Sequence, residues 1–548
     1  MELTLRIYGI INKIINYLLA PFLYLYFDIL GKNGKVPPLK NPILEISAVD
    51  LAEKIRSREF SSEKVVREYI KRIREVEPFL NAVVENRFDD AIKDAKRADK
   101  IIEEASLIYI IENYPLLGVP FTVKESIAVK GLLHGTATIS RKGMRADKDA
   151  IVVEKLRAAG AIPLLVSTTP EYCVTWECNN YVSGRTLNPH KLSTSPGGSS
   201  GGEAALNGAG ASCFGIGSDI AGSIRVPSHF VGIFGHKPTS GIISIDGHFP
   251  TSMDKSFLKF LTIGPMCRYA KDLPTLTYLM ANENCRSQLR LDQPIHTKDI
   301  DIYYQTSASE FSLSLWNVDE LIQRRMLEAV SHFKSNGLNV KRLNPSYNDH
   351  HQHGDFIDMN DSLEISICSL CDVDDIPDLL SNDKTSPRKD LWNELLKSMF
   401  GLSEYTYAAL YFYVLHATNG FIPKSRKEHY VKKGKILREK LINKLGTNGV
   451  LFYPTFPQSA FRHGESTTKL SGVMYTAFFN IMGFPSTHVP MGMDESGLPI
   501  GFQVLELNLF FFLHATDFYY PSLVAHTGTL FIFVITLNIF FINLTHCA

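Results

Sequence analysis

Apolar residues dominate the start of the chain. Ile7-Tyr8-Gly9-Ile10-Ile11 is followed, after Lys13, by Ile14 to Phe27, and Asp28 closes the run. The uncharged part is shorter than the ~20 residues that span a bilayer, unless Lys13 reaches out to the headgroups. No small-residue cleavage site follows, so a removed signal peptide fits poorly. Residues 1–30 are therefore expected to be a membrane anchor or interfacial segment.

Polar punctuation then sets in. Gly31 to Pro42 is a Gly/Pro/Lys linker. Ser47-Ala-Val-Asp50 has the form of a capping box that opens a helix. Ser61-Ser62 precedes Val65, Val66, Tyr69, Ile70 and Ile73, an amphipathic helical spacing. Short apolar runs follow at 118–123, 162–166 and 211–216, separated by helical stretches and by Gly and Pro. This alternation predicts an α/β fold, with strands buried between helices.

Further on, the texture changes. Residues 297–387 are polar and include His350, His351 and His353, which are read as a solvated loop because no acidic or Cys ligand set sits at a recognised spacing. Gly401 to Phe421, rich in Tyr, Leu and Ala, is read as a core helix rather than a pocket lining. From Leu505 to Ala548 the chain is Leu/Phe/Ile-rich, with no charge from Phe518 to Leu544. That tail suits a second membrane segment or sequence outside the mature fold.

Composition narrows the function classes. The 548 residues carry 57 Lys+Arg against 57 Asp+Glu and no long basic run, which argues against a nucleic-acid binder. Hydrophobic content of 45% is a globular value. Eight Cys are thinly spread, and the lone C-x-x-C of Cys368 and Cys371 lacks the second pair a zinc site needs.

The chemistry lies in two Gly/Ser-rich turns. Ser195-Pro-Gly-Gly-Ser199-Ser200-Gly-Gly-Glu-Ala-Ala-Leu is followed by an apolar run and then by Gly215-Ile-Gly-Ser-Asp219-Ile220-Ala221-Gly222-Ser223-Ile-Arg225-Val-Pro227. A flexible linker has no use for a second turn with a fixed Asp and Arg. Glycines there let successive backbone N–H groups converge on one cavity, as an oxyanion hole requires. Neither a G-x-S-x-G elbow nor a complete G-x-G-x-x-G is present. Ser61-Ser-Glu-Lys64 matches S-x-x-K only by letters, and helix capping explains it.

Together with Gly118-Val-Pro-Phe-Thr-Val-Lys124 and Gly235-His-Lys-Pro-Thr239, these segments resemble the amidase-signature family in order and spacing. The resemblance covers roughly residues 43 to 504, and it is nearest to the membrane-associated fatty-acid amide hydrolases of the second type. It implies a single large domain over 43–504, with a mixed twisted sheet covered by helices on both sides. It implies a Ser-Ser-Lys triad in which Ser223 is the nucleophile, Ser199, on a cis Gly198–Ser199 peptide, relays protons, and Lys124 is the base. The N–H groups of Ile220, Ala221, Gly222 and Ser223 are expected to form the oxyanion hole, supported by Ser200, Asp219 and Arg225. No metal or organic cofactor is expected. The implied partners are a small lipid amide and an endomembrane, endoplasmic reticulum or lipid droplet, with room for a homodimer and no nucleic acid. Two other readings stand beside this one. The chain could be another amidase or an amidotransferase subunit, or an inactive membrane homologue, if its altered C-terminus prevents folding.

Overall fold

A computed structural model describes residues 2–289, 300–308, 314–344, 356–381 and 387–506. The histidines at 350, 351 and 353, and the tail beyond Glu506, lie outside the described residues. The apolar N-terminal run forms helix α1 (Leu3–Leu23), which continues as wider helical turns to Ile29. Helices α2 (Ala48–Arg56) and α3 (Ser62–Leu80) open where their caps predict. Ser47 Oγ accepts from the Asp50 N–H at 3.1 Å, and Ser61 Oγ from that of Lys64 at 3.2 Å. On α3, Val65, Val66, Tyr69, Ile70 and Ile73 form the buried stripe that their spacing anticipates.

The core is one mixed sheet of eleven strands. In chain order they are β1 (Val83–Asn86), β2 (Pro120–Lys124), β3 (Ile162–Ser167), β4 (Phe214–Asp219), β5 (Phe234–Lys237), β6 (Thr262–Cys267), β7 (Asp301–Tyr304), β8 (Asn339–Arg342), β9 (Gly449–Pro454), β10 (Ser486–Met493) and β11 (Pro499–Glu506). Across the sheet the order is β1-β3-β2-β4-β6-β5-β10-β11-β9-β7-β8. Strands β3, β2 and β4 run parallel, and every residue in them is buried, as expected of strands covered on both faces.

Two boundaries differ from the sequence reading. Strand β4 starts three residues later than its apolar run and continues through Gly217, Ser218 and Asp219. Pairing with β6, from Phe214–Cys267 to Asp219–Thr262, holds this polar end in the sheet. Strand β11 runs two residues past the boundary drawn at 504, with Leu505 opposite Ser486 and Glu506 opposite Val450.

Helix α1 lies against the body of the molecule. Leu5, Asn12 and Asn16 are buried, and Asn16 Oδ1 accepts from Thr468 Oγ1 at 2.6 Å. The Tyr8 hydroxyl bonds that of Tyr411, and Asp28 accepts from Arg462 Nε at 2.7 Å. The other face is apolar and exposed, with Leu18 66% and Phe22 70% accessible. Across from Tyr8, helix α6 (Tyr407–Ala417) buries Ala409, Leu410, Val414 and Leu415, the core role expected of that region. Two short helices complete the frame of the site: α4 (Gly201–Gly208) and α5 (Arg225–Val231). They are joined there by α7 (Met474–Met482).

Candidate active site

Lys124 ends β2, and its side chain is 0% exposed. Its Nζ lies 2.7 Å from Ser199 Oγ, 3.0 Å from Ser218 Oγ and 3.4 Å from the Ser218 carbonyl. Burial pushes its pKa down; Cys173, Asp219, Cys178 and Glu203 nearby oppose this. A buried lysine that gives up its proton readily can serve as a base.

Ser199 follows a cis Gly198–Ser199 peptide and leads into α4. A Cβ at Gly202 would sit 2.5 Å from the Thr168 nitrogen, so only glycine lets α4 close on the loop after β3. The Ser200 N–H donates to the Ser223 carbonyl at 3.2 Å and ties the two Gly/Ser-rich turns together.

Ser223 is 5% exposed, and its hydroxyl makes no hydrogen bond among the described residues. Its turn is built on Asp219. That carboxylate accepts from the N–H groups of Gly222 at 2.7 Å and Ile224 at 3.0 Å, and from Arg225 Nε and Nη2, both at 3.1 Å. Desolvation works against the charge, but Arg225 wins and holds the Asp219 carboxyl well below the usual carboxylate range. Gly222 has φ +115°, and a Cβ there would meet Thr476 Oγ1 at 2.2 Å, so the turn admits no side chain.

The Gly222 N–H, expected among the oxyanion donors, donates to Asp219 Oδ1 at 2.7 Å. The N–H groups of Ile220, Ala221 and Ser223 have no acceptor among the described residues and remain available. The supports named from sequence, Ser200, Asp219 and Arg225, are all buried at this turn.

Sequence reasoning missed several residues of the site. Arg225 Nη1 donates to Gln503 Oε1 on β11 at 2.8 Å, and its Nη2 bonds the Thr476 carbonyl and Asn480 on α7. Thr122 donates to Glu203 Oε2 at 2.6 Å, and burial pushes the Glu203 carboxyl up to about 7. Ser218 and His248 stand behind Lys124. Glu203 lay inside a recognised motif, and a buried role could have been sought there. Nothing in the sequence singles out His248.

A large mixed sheet carries a buried Lys beside two Ser-bearing turns, and the kinship of the chain makes it an amide-hydrolysing enzyme. The chain belongs to the amidase family, whose sequence profile, described as Amidase, matches residues 64–506. Among curated proteins it is 38% identical over 476 residues to fatty-acid amide hydrolase 2-B of Danio rerio, covering 86% of this chain and 88% of that one. It is 35% identical over 485 residues to fatty-acid amide hydrolase 2 of Homo sapiens, again covering 86% and 88%. A solved fatty acid amide hydrolase superposes with TM-score 0.64 at 21% identity, over 90% of this chain and 86% of that one, and shares its fold.

Proposed function

We propose that this amidase hydrolyses long-chain fatty-acid amides through an acyl-enzyme on Ser223. The observation that carries the reading is the 2.7 Å contact between buried Lys124 and Ser199, beside the turn that holds Ser223. Neutral Lys124 takes the Ser199 proton while Ser199 takes that of Ser223, and Ser223 Oγ attacks the amide carbon. The developing oxyanion receives the N–H groups of Ile220, Ala221 and Ser223, each donor worth about 3 kcal/mol of barrier. Lys124 then returns its proton through Ser199 to the leaving nitrogen, so the C–N bond breaks to a neutral amine rather than an amide anion. Water attacks the ester by the same relay and frees the acid.

Two features favour an apolar acyl group at a membrane. Ile220 and Ala221 belong to one apolar cluster with Trp176, Leu370, Phe412 and Leu470, which offers hydrocarbon surface near the nucleophile. Helix α1 presents its exposed apolar face for insertion into the membrane interface. The similarity to the two fatty-acid amide hydrolases supports the same substrate class.

The test uses the full chain in detergent or membranes. The wild type should react with a fluorophosphonate probe and cleave an 18-carbon primary amide faster than an 8-carbon one. Ser223→Ala should lose both reactions. Undiminished labelling of that variant would remove Ser223 as nucleophile. A preference for the short amide would remove the lipid substrate class.

A further inference from the structure

Behind Lys124 lies a second polar chain that the reaction as written does not use. His248, in the turn before Pro250, is buried. Its Nδ1 lies 2.8 Å from the Pro250 carbonyl and its Nε2 lies 2.9 Å from Ser218 Oγ. Ser218 Oγ in turn lies 3.0 Å from Lys124 Nζ.

The protons on this chain can be assigned by elimination. A carbonyl only accepts, so His248 Nδ1 carries the hydrogen and donates it to Pro250. The neutral ring then has a bare Nε2, which accepts from Ser218 Oγ. Burial and the nearby Lys124 push the His248 pKa down to about 3, which keeps the ring in that neutral form. With its one hydrogen given to His248, Ser218 Oγ can only accept from Lys124.

A neutral amine has two hydrogens and one lone pair. Among the described residues Lys124 has three hydrogen-bond partners: the Ser218 carbonyl, Ser218 Oγ and Ser199 Oγ. The first can only accept, and the second is made an acceptor by His248. Both hydrogens are thereby taken, and the lone pair is left for Ser199. A base must present its lone pair to the proton it removes. If the Ser218 hydroxyl were free to turn, it could donate to Lys124 and occupy that lone pair.

We propose that His248 is a positioning residue which, through Ser218, turns the lone pair of Lys124 toward Ser199 and so sets the direction of proton transfer. The inference rests on Lys124, Ser199 and Ser223 acting as the triad proposed above. Its reach is limited to the orientation of the base: His248 touches neither substrate nor nucleophile, and no proton passes to it.

Two amide variants separate this role from simple packing. His248→Gln keeps an acceptor near the position of Nε2, whereas His248→Asn stops short of Ser218. Turnover of a soluble acyl anilide is measured per fluorophosphonate-titrated site, so that only folded enzyme is counted. His248→Asn should lower kcat about 10- to 100-fold, up to the lower end of what general-base effects contribute because the base itself is kept, and leave KM within about twofold. His248→Gln should recover most of that loss. In a Ser218→Ala background the difference between Gln and Asn should vanish, because the linking hydroxyl is gone. Equal kcat for Gln and Asn, or a difference that persists without Ser218, would overturn the proposal. Ser223→Ala, counted per folded protein because it has no site to titrate, is run alongside: if it still turns over, the triad itself is wrong, and if it is dead while His248→Asn is unimpaired, only the role of His248 falls.

Discussion

Among the described residues Lys124 has no carboxylate within hydrogen-bonding reach, and burial makes its ammonium form the costlier one. Its pKa therefore lies below the usual 10.5 of a lysine. The neutral amine is the active form, so kcat for a chemistry-limited amide should climb from neutral pH to about pH 9. A flat profile over that interval would count against Lys124 as base. Glu203 has the opposite linkage to stability. Its folded pKa of about 7 is above the usual 4.5, so it contributes stability in acid that is lost as pH rises through 7. Denaturant titrations at pH 5 and pH 8 should show a smaller fall for Glu203→Gln than for the wild type, by up to about 3 kcal/mol. Equal falls would show that Glu203 ionises as freely in the folded chain as in the unfolded one. At this scale the sequence was most informative where residues sit inside motifs. Lys124, Ser199, Ser223, Asp219 and Arg225 could be named beforehand. The diversion of the Gly222 N–H could not, since it depends on which way the Asp219 carboxylate turns. Ser218 meets Lys124 across 94 positions of chain and His248 meets Ser218 across 30, in both cases only through tertiary packing.

Elements whose pattern matched their surroundings were read well. The capped starts of α2 and α3 and the buried stripe of α3 follow from local chemistry. Strand β4 was misplaced by three residues because Gly217, Ser218 and Asp219 have no strand pattern and are held by β6. Helix α1 combines two surfaces that hydropathy alone cannot separate. Asn12 and Asn16 face the body, while Leu18 and Phe22 face outward. Leu18→Glu with Phe22→Glu should abolish co-sedimentation with phospholipid vesicles and leave turnover of a soluble anilide within about twofold, since exposed positions contribute little to folding. Retained vesicle binding would place the membrane contact elsewhere.

Across the whole molecule, the active-site turn is braced from a strand far along the chain. Gln503 accepts from Arg225 and Ser486 and donates to the Pro454 and Tyr475 carbonyls, which links β11, β10, β9 and α7 at one buried amide. Gln503→Leu would leave these groups unpaired at about 1–3 kcal/mol each. It should lower the denaturation midpoint and slow fluorophosphonate labelling together. Loss of stability with unchanged labelling would mean that Arg225 holds the turn without it. The domain boundary read from the sequence falls one residue after this glutamine. Strand β11 has partners on both sides, so the sheet is continuous only once that segment is in place.

The docking of α1 also has a consequence in time. Asn16 and its partner Thr468 are separated by 452 positions. At a synthesis rate of about 10 residues per second, roughly 45 s pass between the birth of the helix and that of the surface that receives it. Throughout that interval its asparagines have no partner on the body, while its apolar face is already complete. Whatever captures the helix then does so before the catalytic centre exists.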